Sequence, residues 1–389
     1  MTDGTTSTTP ATFTTPSTTA AALGGDSGLA GLTLDHIEFF VTDVEATVSE
    51  LSTGYGLEVL VPPTRGSRRG DHRSALLGRN RIRLLVTQAL SDDHPARAYV
   101  ERHGDGVADI ALCATDVRAS YAELMANGAV EVAPPREEDG CVTAAVGGFG
   151  DVIHTLVERR PGVPVDRLPG LPEPRPATAE ELTSDDPVGL LNIDHFAVCL
   201  PLGELSAAMR FYTDVFDMPV VFKERIEVGP MGMDSAVVQS RSGEVTFTLI
   251  EPMPGARAGQ IESFLADHGG AGVQHVAFAT DDIVHSVGTM GGRGVPFLNT
   301  PATYYDLLTA RLTPLRHSVE QLRELSVLVD EDHDGQLFQI FSRSVHPRGT
   351  LFFEVIERIR ATTFGSNNIR ALYEAIELQR AAAAKEQAE

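Results

Sequence analysis

Four times along the chain, apolar and polar positions alternate with the period of a strand and then switch to the spacing of an amphipathic helix. From Leu34, LDHIEFFVTDVEATVSELSTGYGLEVL reads as strand, polar turn, helix and second strand, and IDHFAVCLPLGELSAAMRFYTDVFDMPVVF repeats that order from Ile193. His36 and His195 correspond at an offset of 159 residues. A second pair follows, HGDGVADIALCATDVRASYAELMANGAVEV from His103 and HGGAGVQHVAFATDDIVHSVGTMGGRGVPFL from His268. Each unit continues into short alternating segments such as DSAVVQSRSGEVTFTLIEP, in which SRSG occupies the place of a hairpin turn. The repetition predicts an α+β chain of four βαβββ modules, paired into two half-barrel domains.

The remaining stretches set the domain limits. Residues 1–30 are dominated by Thr, Ser, Ala and Gly, with too little apolar surface to offset chain entropy, and are expected to be a disordered tail. The proline-rich residues 161–189 are expected to be an extended linker between a first domain at 31–160 and a second at 190–389. From Ser366 the pattern predicts a C-terminal helix, with Ser366 as its cap and Ile369, Leu372, Tyr373 and Ile376 on one apolar face.

Composition narrows the function classes. The formal net charge of −23 repels phosphate backbones and anionic lipid, so neither a nucleic acid nor a membrane surface is an expected partner. No apolar run approaches the ~20 residues of a membrane span. Three cysteines, Cys113, Cys141 and Cys199, lie far apart without CxxC spacing, which supports neither a disulfide framework nor a structural zinc site and fits a reducing cytoplasm. A homodimer is left open.

Comparing the halves exposes a chemical asymmetry. His195 on the first strand of the second half, His275 in GVQHVAFAT and Glu354 in LFFEVIER are the ligand types of a two-histidine, one-carboxylate Fe(II) site with open positions. The corresponding places in the first half hold His36, Asp109 and Thr155, at most a defective copy, so that half is expected to be structural. A single histidine on an apolar strand ordinarily satisfies a core hydrogen bond. A carboxylate between Phe353 and Val355 is costly without a partner, and the coincidence of all three on repeat-equivalent strands favours a metal.

These stretches, with GQIESFLADHGGAGVQHVAF, TPATYYDLL, VLVDEDHDGQLFQIF and FGSNNIRALYEAIE, resemble the 4-hydroxyphenylpyruvate dioxygenase group of the vicinal oxygen chelate fold, which includes hydroxymandelate synthase. The resemblance spans most of 191–377 and is weaker over 34–159. It implies that His195, His275 and Glu354 hold Fe(II), and that the substrates are 4-hydroxyphenylpyruvate and O2. By motif it also carries over substrate contacts at Ser235, Thr248, Ile250, Gln260, Gln274, Gln339, Phe341, Phe352, Phe364, Asn368 and Ile369, with catalytic roles for Ser235 and Gln339. Taken singly, each of these amides and aromatics could equally serve sheet hydrogen bonding or core packing.

Within that group the reactions part after loss of CO2. Oxygen delivered to the ring leads to homogentisate, and oxygen delivered to the benzylic carbon leads to 4-hydroxymandelate. Here TLIEP departs from the dioxygenases' usual string at Thr248 and Ile250, putting an aliphatic side chain where they have an amide, and Ile369 stands where they have Phe. Both departures look like the synthase, so benzylic hydroxylation is the expected chemistry, with homogentisate formation as the alternative. A non-catalytic binding protein of the same fold is the reading from another class, and it has no need of the complete His, His, Glu set.

Overall fold

The computed structural model describes residues 28–66, 70–175, 187–228, 231–365, 368 and 370. The first half runs β1 (Thr33–Phe40), α1 (Val44–Thr53), β2 (Glu58–Arg65), β3 (His72–Arg79), β4 (Ile82–Ala89), α2 (Pro95–His103), β5 (Gly106–Cys113), α3 (Val117–Ala126), β6 (Glu131–Glu138), β7 (Cys141–Gly147) and β8 (Ile153–Arg159). The second half repeats it with β9 (Leu190–Cys199), α4 (Leu205–Val215), β10 (Val220–Val228), β11 (Met231–Gln239), β12 (Thr246–Pro252), α5 (Gln260–His268), β13 (Gly272–Thr280) and α6 (Ile283–Gly292). It closes with α7 (Ala302–Arg311), α8 (Val319–Glu324), β14 (Leu328–Glu331), β15 (Gln336–Phe341) and β16 (Phe352–Ile359). Four βαβββ modules are present, as the periodicity predicts; α2 and α5 precede the second module of each half, and α7 and α8 interrupt the last.

Each half forms one eight-stranded sheet, ordered β2-β3-β4-β1-β5-β8-β7-β6 and β10-β11-β12-β9-β13-β16-β15-β14. Local chemistry sets the element ends. The Asp43, Asp116 and Asp282 side chains accept backbone N–H groups at the starts of α1, α3 and α6. At the SRSG turn the amide of Gly243, at φ +77°, donates to Ser240 O at 2.9 Å.

One face of each sheet enters a continuous apolar core shared by the two halves, with Phe39, Tyr55, Phe196, Phe247, Phe278 and Phe353 among its members. Across the junction, the Tyr55 and Phe353 rings meet edge to face at 5.0 Å, and the Tyr212 hydroxyl lies 2.8 Å from His154 Nε2. The opposite face of the second sheet carries the candidate site.

Two segments differ from the sequence expectation. Residues 28–30, assigned to the tail, are packed: Leu29 is buried and Ser120 donates to Gly28 O at 3.0 Å. The linker is not simply extended, because Leu168 and Leu171 pack against Val61 and Leu76 of the first sheet. Apolar side chains spaced among the prolines find a surface that local composition does not reveal. Residues 1–27, and Ser366, Ile369, Leu372, Tyr373 and Ile376 of the expected C-terminal helix, lie outside the described residues. Among the described residues no helix is long and apolar enough to cross a membrane.

Candidate metal centre

Three adjacent strands bring the ligand candidates together. His195 on β9 is in register with Ala277 on β13, and Ala277 is in register with Glu354 on β16. His275 lies two residues from Ala277 on the same strand and therefore on the same face. A methyl side chain at the centre of this row leaves space between the flanking His195 and Glu354.

The ligand atoms of His195, His275 and Glu354 all lie within 4.8 Å of one another. Both imidazoles turn Nε2 toward the same oxygen, Glu354 Oε2, at 3.4 Å from His195 and 3.2 Å from His275. The three residues are 3%, 7% and 1% exposed, respectively. The second carboxylate oxygen, Oε1, accepts the Gln339 Nε2–H at 2.8 Å. Two imidazole nitrogens and one carboxylate oxygen, converging in a buried concavity, form a donor set that suits a divalent transition metal. His275 Nδ1 is buried without a hydrogen-bond partner. His195 Nδ1 is held at 2.8 Å by Asp194, which Arg358 clamps with two bonds of 2.8 and 2.9 Å. That carboxylate orients the ring and favours Nδ1–H, which frees Nε2.

Charge follows from this arrangement. Burial opposes ionisation of Glu354, yet the neighbouring His195 and His275 outweigh it and hold the carboxyl below its usual range. Burial likewise opposes a charged His195, but Glu354 and Asp194 lift it, whereas burial dominates at His275 and lowers it.

β-Bulges make the geometry possible. The β9/β13 register skips Asp194 on one strand and Gln274 on the other. An extra residue lets consecutive side chains share a face, so Asp194 reaches its neighbour His195, and Gln274 lines the cavity beside His275. The first sheet has the same two irregularities, skipping Asp35 and Ala108, with Asp35 bonded to His36 at 2.7 Å and to Arg159. This device belongs to the module rather than to the metal.

The cavity beside the triad is bounded by Ala197, Met233, Thr248, Ile250, Gln260, Ile261, Gln274, Gln339, Phe341 and Phe364 and encloses about 40 Å³. Thr248, Ile250, Gln260, Gln274, Gln339, Phe341 and Phe364, among the substrate contacts expected from the motifs, thus line this cavity. Two of them carry buried polar atoms with no partner, Thr248 Oγ1 and Gln260 Oε1. Ser235 is buried on β11 in register with Ile250, at the margin of the cavity rather than in its wall. Phe352 stacks on the His275 ring at 5.0 Å and is likewise outside the wall. Asn368 is fully buried and donates to Gln339 Oε1 at 2.9 Å, so it supports the wall from behind. Ile369 lies outside the described residues.

Ala197, Met233 and Ile261 went unselected in the sequence, although Ala197 stands two residues from His195 and so shares its face. Phe364 packs edge to face on His195 at 5.1 Å and under the Arg358 guanidinium at 4.9 Å. It also borders an outer groove of about 670 Å³, so its ring partitions that groove from the metal cavity.

At the strand positions equivalent to the triad, the described residues of the first half hold no such centre, although Asp71, His72 and His94, half-buried elsewhere in that half, bring their ligand atoms within 4.8 Å of one another. Thr155 occupies the register position of Glu354, two residues beyond the partner of Asp109, and binds Asp109 through both its amide and its hydroxyl. The linker residues Leu168 and Leu171 lie with Leu76 and Leu85, filling space where the second half has its cavity.

Similarity to known proteins agrees with this geometry. The Glyoxalase/Bleomycin resistance protein/Dioxygenase superfamily matches residues 192–340. The chain is 31% identical to 4-hydroxyphenylpyruvate dioxygenase of Pyricularia oryzae, covering 89% of this chain and 90% of that protein. It is 32% identical to the enzyme of the same name from Dictyostelium discoideum, covering 89% and 97%. A solved structure of a triple mutant of 4-hydroxymandelate synthase from Streptomyces coelicolor superposes with a TM-score of 0.80 at 42% identity, covering 90% of this chain and 98% of that one. With a two-sheet scaffold of paired vicinal oxygen chelate modules and full-length relatives of this kind, the chain belongs to the 4-hydroxyphenylpyruvate dioxygenase family and is a dioxygenase.

Proposed function

We propose that this enzyme uses Fe(II) to convert 4-hydroxyphenylpyruvate and O2 into 4-hydroxymandelate and CO2. The observation that carries the reading is the convergence of His195 Nε2, His275 Nε2 and a single Glu354 oxygen in a buried concavity. Iron, when bound by these three residues, supplies the redox chemistry and the open positions that a 2-oxo acid and O2 require.

The protein's own part is to hold and orient the substrate. Ala197, Met233, Ile250 and Ile261 offer an apolar bed for an aromatic ring. The orphaned Thr248 Oγ1 and Gln260 Oε1 are a matched donor and acceptor for the phenol hydroxyl. A cavity of about 40 Å³ admits such a ring only if wall side chains move, and Phe364, between cavity and groove, is placed to do so. Ile250 supports benzylic delivery, because an aliphatic wall gives the ring no polar partner that would draw it toward the oxidant. The free thiols Cys113, Cys141 and Cys199 and the acidic surface suit a cytoplasmic enzyme of small molecules.

Purified protein supplied with Fe(II), O2 and 4-hydroxyphenylpyruvate is expected to release CO2 and form mainly 4-hydroxymandelate, identified chromatographically. Homogentisate as the main product assigns the alternative dioxygenase reaction. An absence of both metal uptake and oxygen consumption assigns a binding role.

A further inference from the structure

A second group of ligand side chains converges in the first half. Asp71 and His72 stand at the start of β3, and His94 is the N-cap of α2. Their ligand atoms lie within 4.8 Å of one another, as those of the triad do. All three residues are half-buried.

Backbone contacts bring His94 to the other two. The Asp71 carbonyl accepts the amides of Leu90 at 2.7 Å and Ser91 at 3.1 Å, which folds the segment before α2 back over the start of β3. The His72 ring lies over Gly66, where a Cβ would stand 2.2 Å from Cε1. The absence of a side chain at Gly66 thus makes the ring's seat. The two imidazoles face each other at 4.6 Å between centroids, with 38° between their planes.

Protonation suits a metal as well. Asp71 Oδ1 lies 2.9 Å from His72 Nδ1 and favours Nδ1–H, which leaves the Nε2 lone pair open, the same pairing that orients His195. Burial above all, and the adjacent His72, lower His94 from the usual imidazole range and keep its ring neutral, the form that ligates. Among the described residues, neither Nε2 has a hydrogen-bond partner and no Lys or Arg pairs with Asp71.

We propose that Asp71, His72 and His94 form a second metal site, suited to Zn(II), that ties the start of α2 to β3. Two imidazoles and a carboxylate leave the fourth tetrahedral position of Zn(II) to water. The site is looser than the triad. It is half-exposed, and the His94 Nδ1 accepts the Ala96 amide at 3.2 Å, a capping bond that ligation by His94 has to displace. Its metal is therefore lost on gel filtration and is counted only at equilibrium. The other end of α2 carries His103, whose Nδ1 lies 2.7 Å from His268 O in the second half, so the metal would brace a helix that bridges the two halves.

The test is calorimetric titration of full-length Glu354→Ala protein with Zn(II) in a non-chelating buffer, where the triad no longer competes. One equivalent is expected to bind. Adding His72→Gln or His94→Asn is expected to weaken it by more than roughly tenfold, since removing a ligand costs more than removing its outer support. Asn at 94 is itself a good N-cap, so the helix start is kept. His333→Gln, in the exposed group Asp332, His333 and Asp334, is expected to change nothing. The metal-free wild-type protein supplies a second measurement: two equivalents at equilibrium, falling to one in His94→Asn. Absence of the additional equivalent, or its survival in both His72→Gln and His94→Asn, overturns the proposal and leaves the triad untouched.

Discussion

Thr155 occupies both oxygens of Asp109, its amide donating to Oδ1 at 3.0 Å and its hydroxyl to Oδ2. Asp109 is the register counterpart of His275, and Thr155 that of Glu354, so the first half satisfies its buried carboxylate internally where the second half leaves donors for a metal. Its Glu38, in the place of Ala197, is pushed up to about 7, by burial above all and also by the nearby Asp109 charge. This contrast supports the proposal that the first half serves as a structural support for the second.

One equivalent of metal per chain is expected from this division. Glu354→Ala should lose it, and Asp109→Ala should retain it, as read by metal analysis after gel filtration. Loss of bound metal on replacing Asp109 would contradict the division.

Thr248 and Gln260 bear polar atoms that are buried and unpaired, a condition that costs about 1–3 kcal/mol per group. Gln260→Leu should therefore leave the free protein as stable or slightly more stable, while reducing its preference for 4-hydroxyphenylpyruvate over phenylpyruvate by at least roughly tenfold. Thermal melts and the ratio of kcat/KM values for the two acids check both halves of this expectation. A stabilised variant with undiminished preference would assign Gln260 another role.

Ile250 is 7% exposed and faces the cavity from β12. Replacing it with Asn places an amide beside the substrate ring, and the product mixture is expected to shift from 4-hydroxymandelate toward homogentisate. The shift is read as a product ratio, so a fall in overall rate does not obscure it. An unchanged ratio would remove Ile250 from the determinants of the outcome.

His154 Nδ1 lies 3.1 Å from Ile110 O, and its Nε2 accepts from the Tyr212 hydroxyl across the junction. Burial pushes its imidazole down to about 4 from an ordinary 6.5. Between those values the unfolded chain binds the extra proton and the native state does not, so stability rises with pH across this window. The contribution is complete above about 6.5 and is lost as the pH falls toward 4, roughly 2 kcal/mol of it by pH 5. His268, also lowered to about 4, by burial and by the adjacent His103, acts in the same direction. Denaturant midpoints at pH 7 and pH 5 should differ accordingly, and His154→Gln should narrow the difference.

The four modules, the α+β class and the three ligand candidates were legible in the chain because each depends on information carried locally: strand and helix periodicity, the repeat offset, and a carboxylate placed between Phe353 and Val355 where solvation alone would reject it. The polar wall at Thr248, Gln260 and Gln274 was legible only through resemblance, since a lone amide on a strand reads equally well as a sheet hydrogen bond. Tertiary structure alone decided the rest. The bulges at Asp194 and Gln274 rephase which side chains share a face, Leu168 and Leu171 find a surface on the first sheet, and His94 comes up against Asp71 and His72. Each of these depends on strand register and on contacts between residues far apart in the chain, and periodicity within a single element carries no record of either.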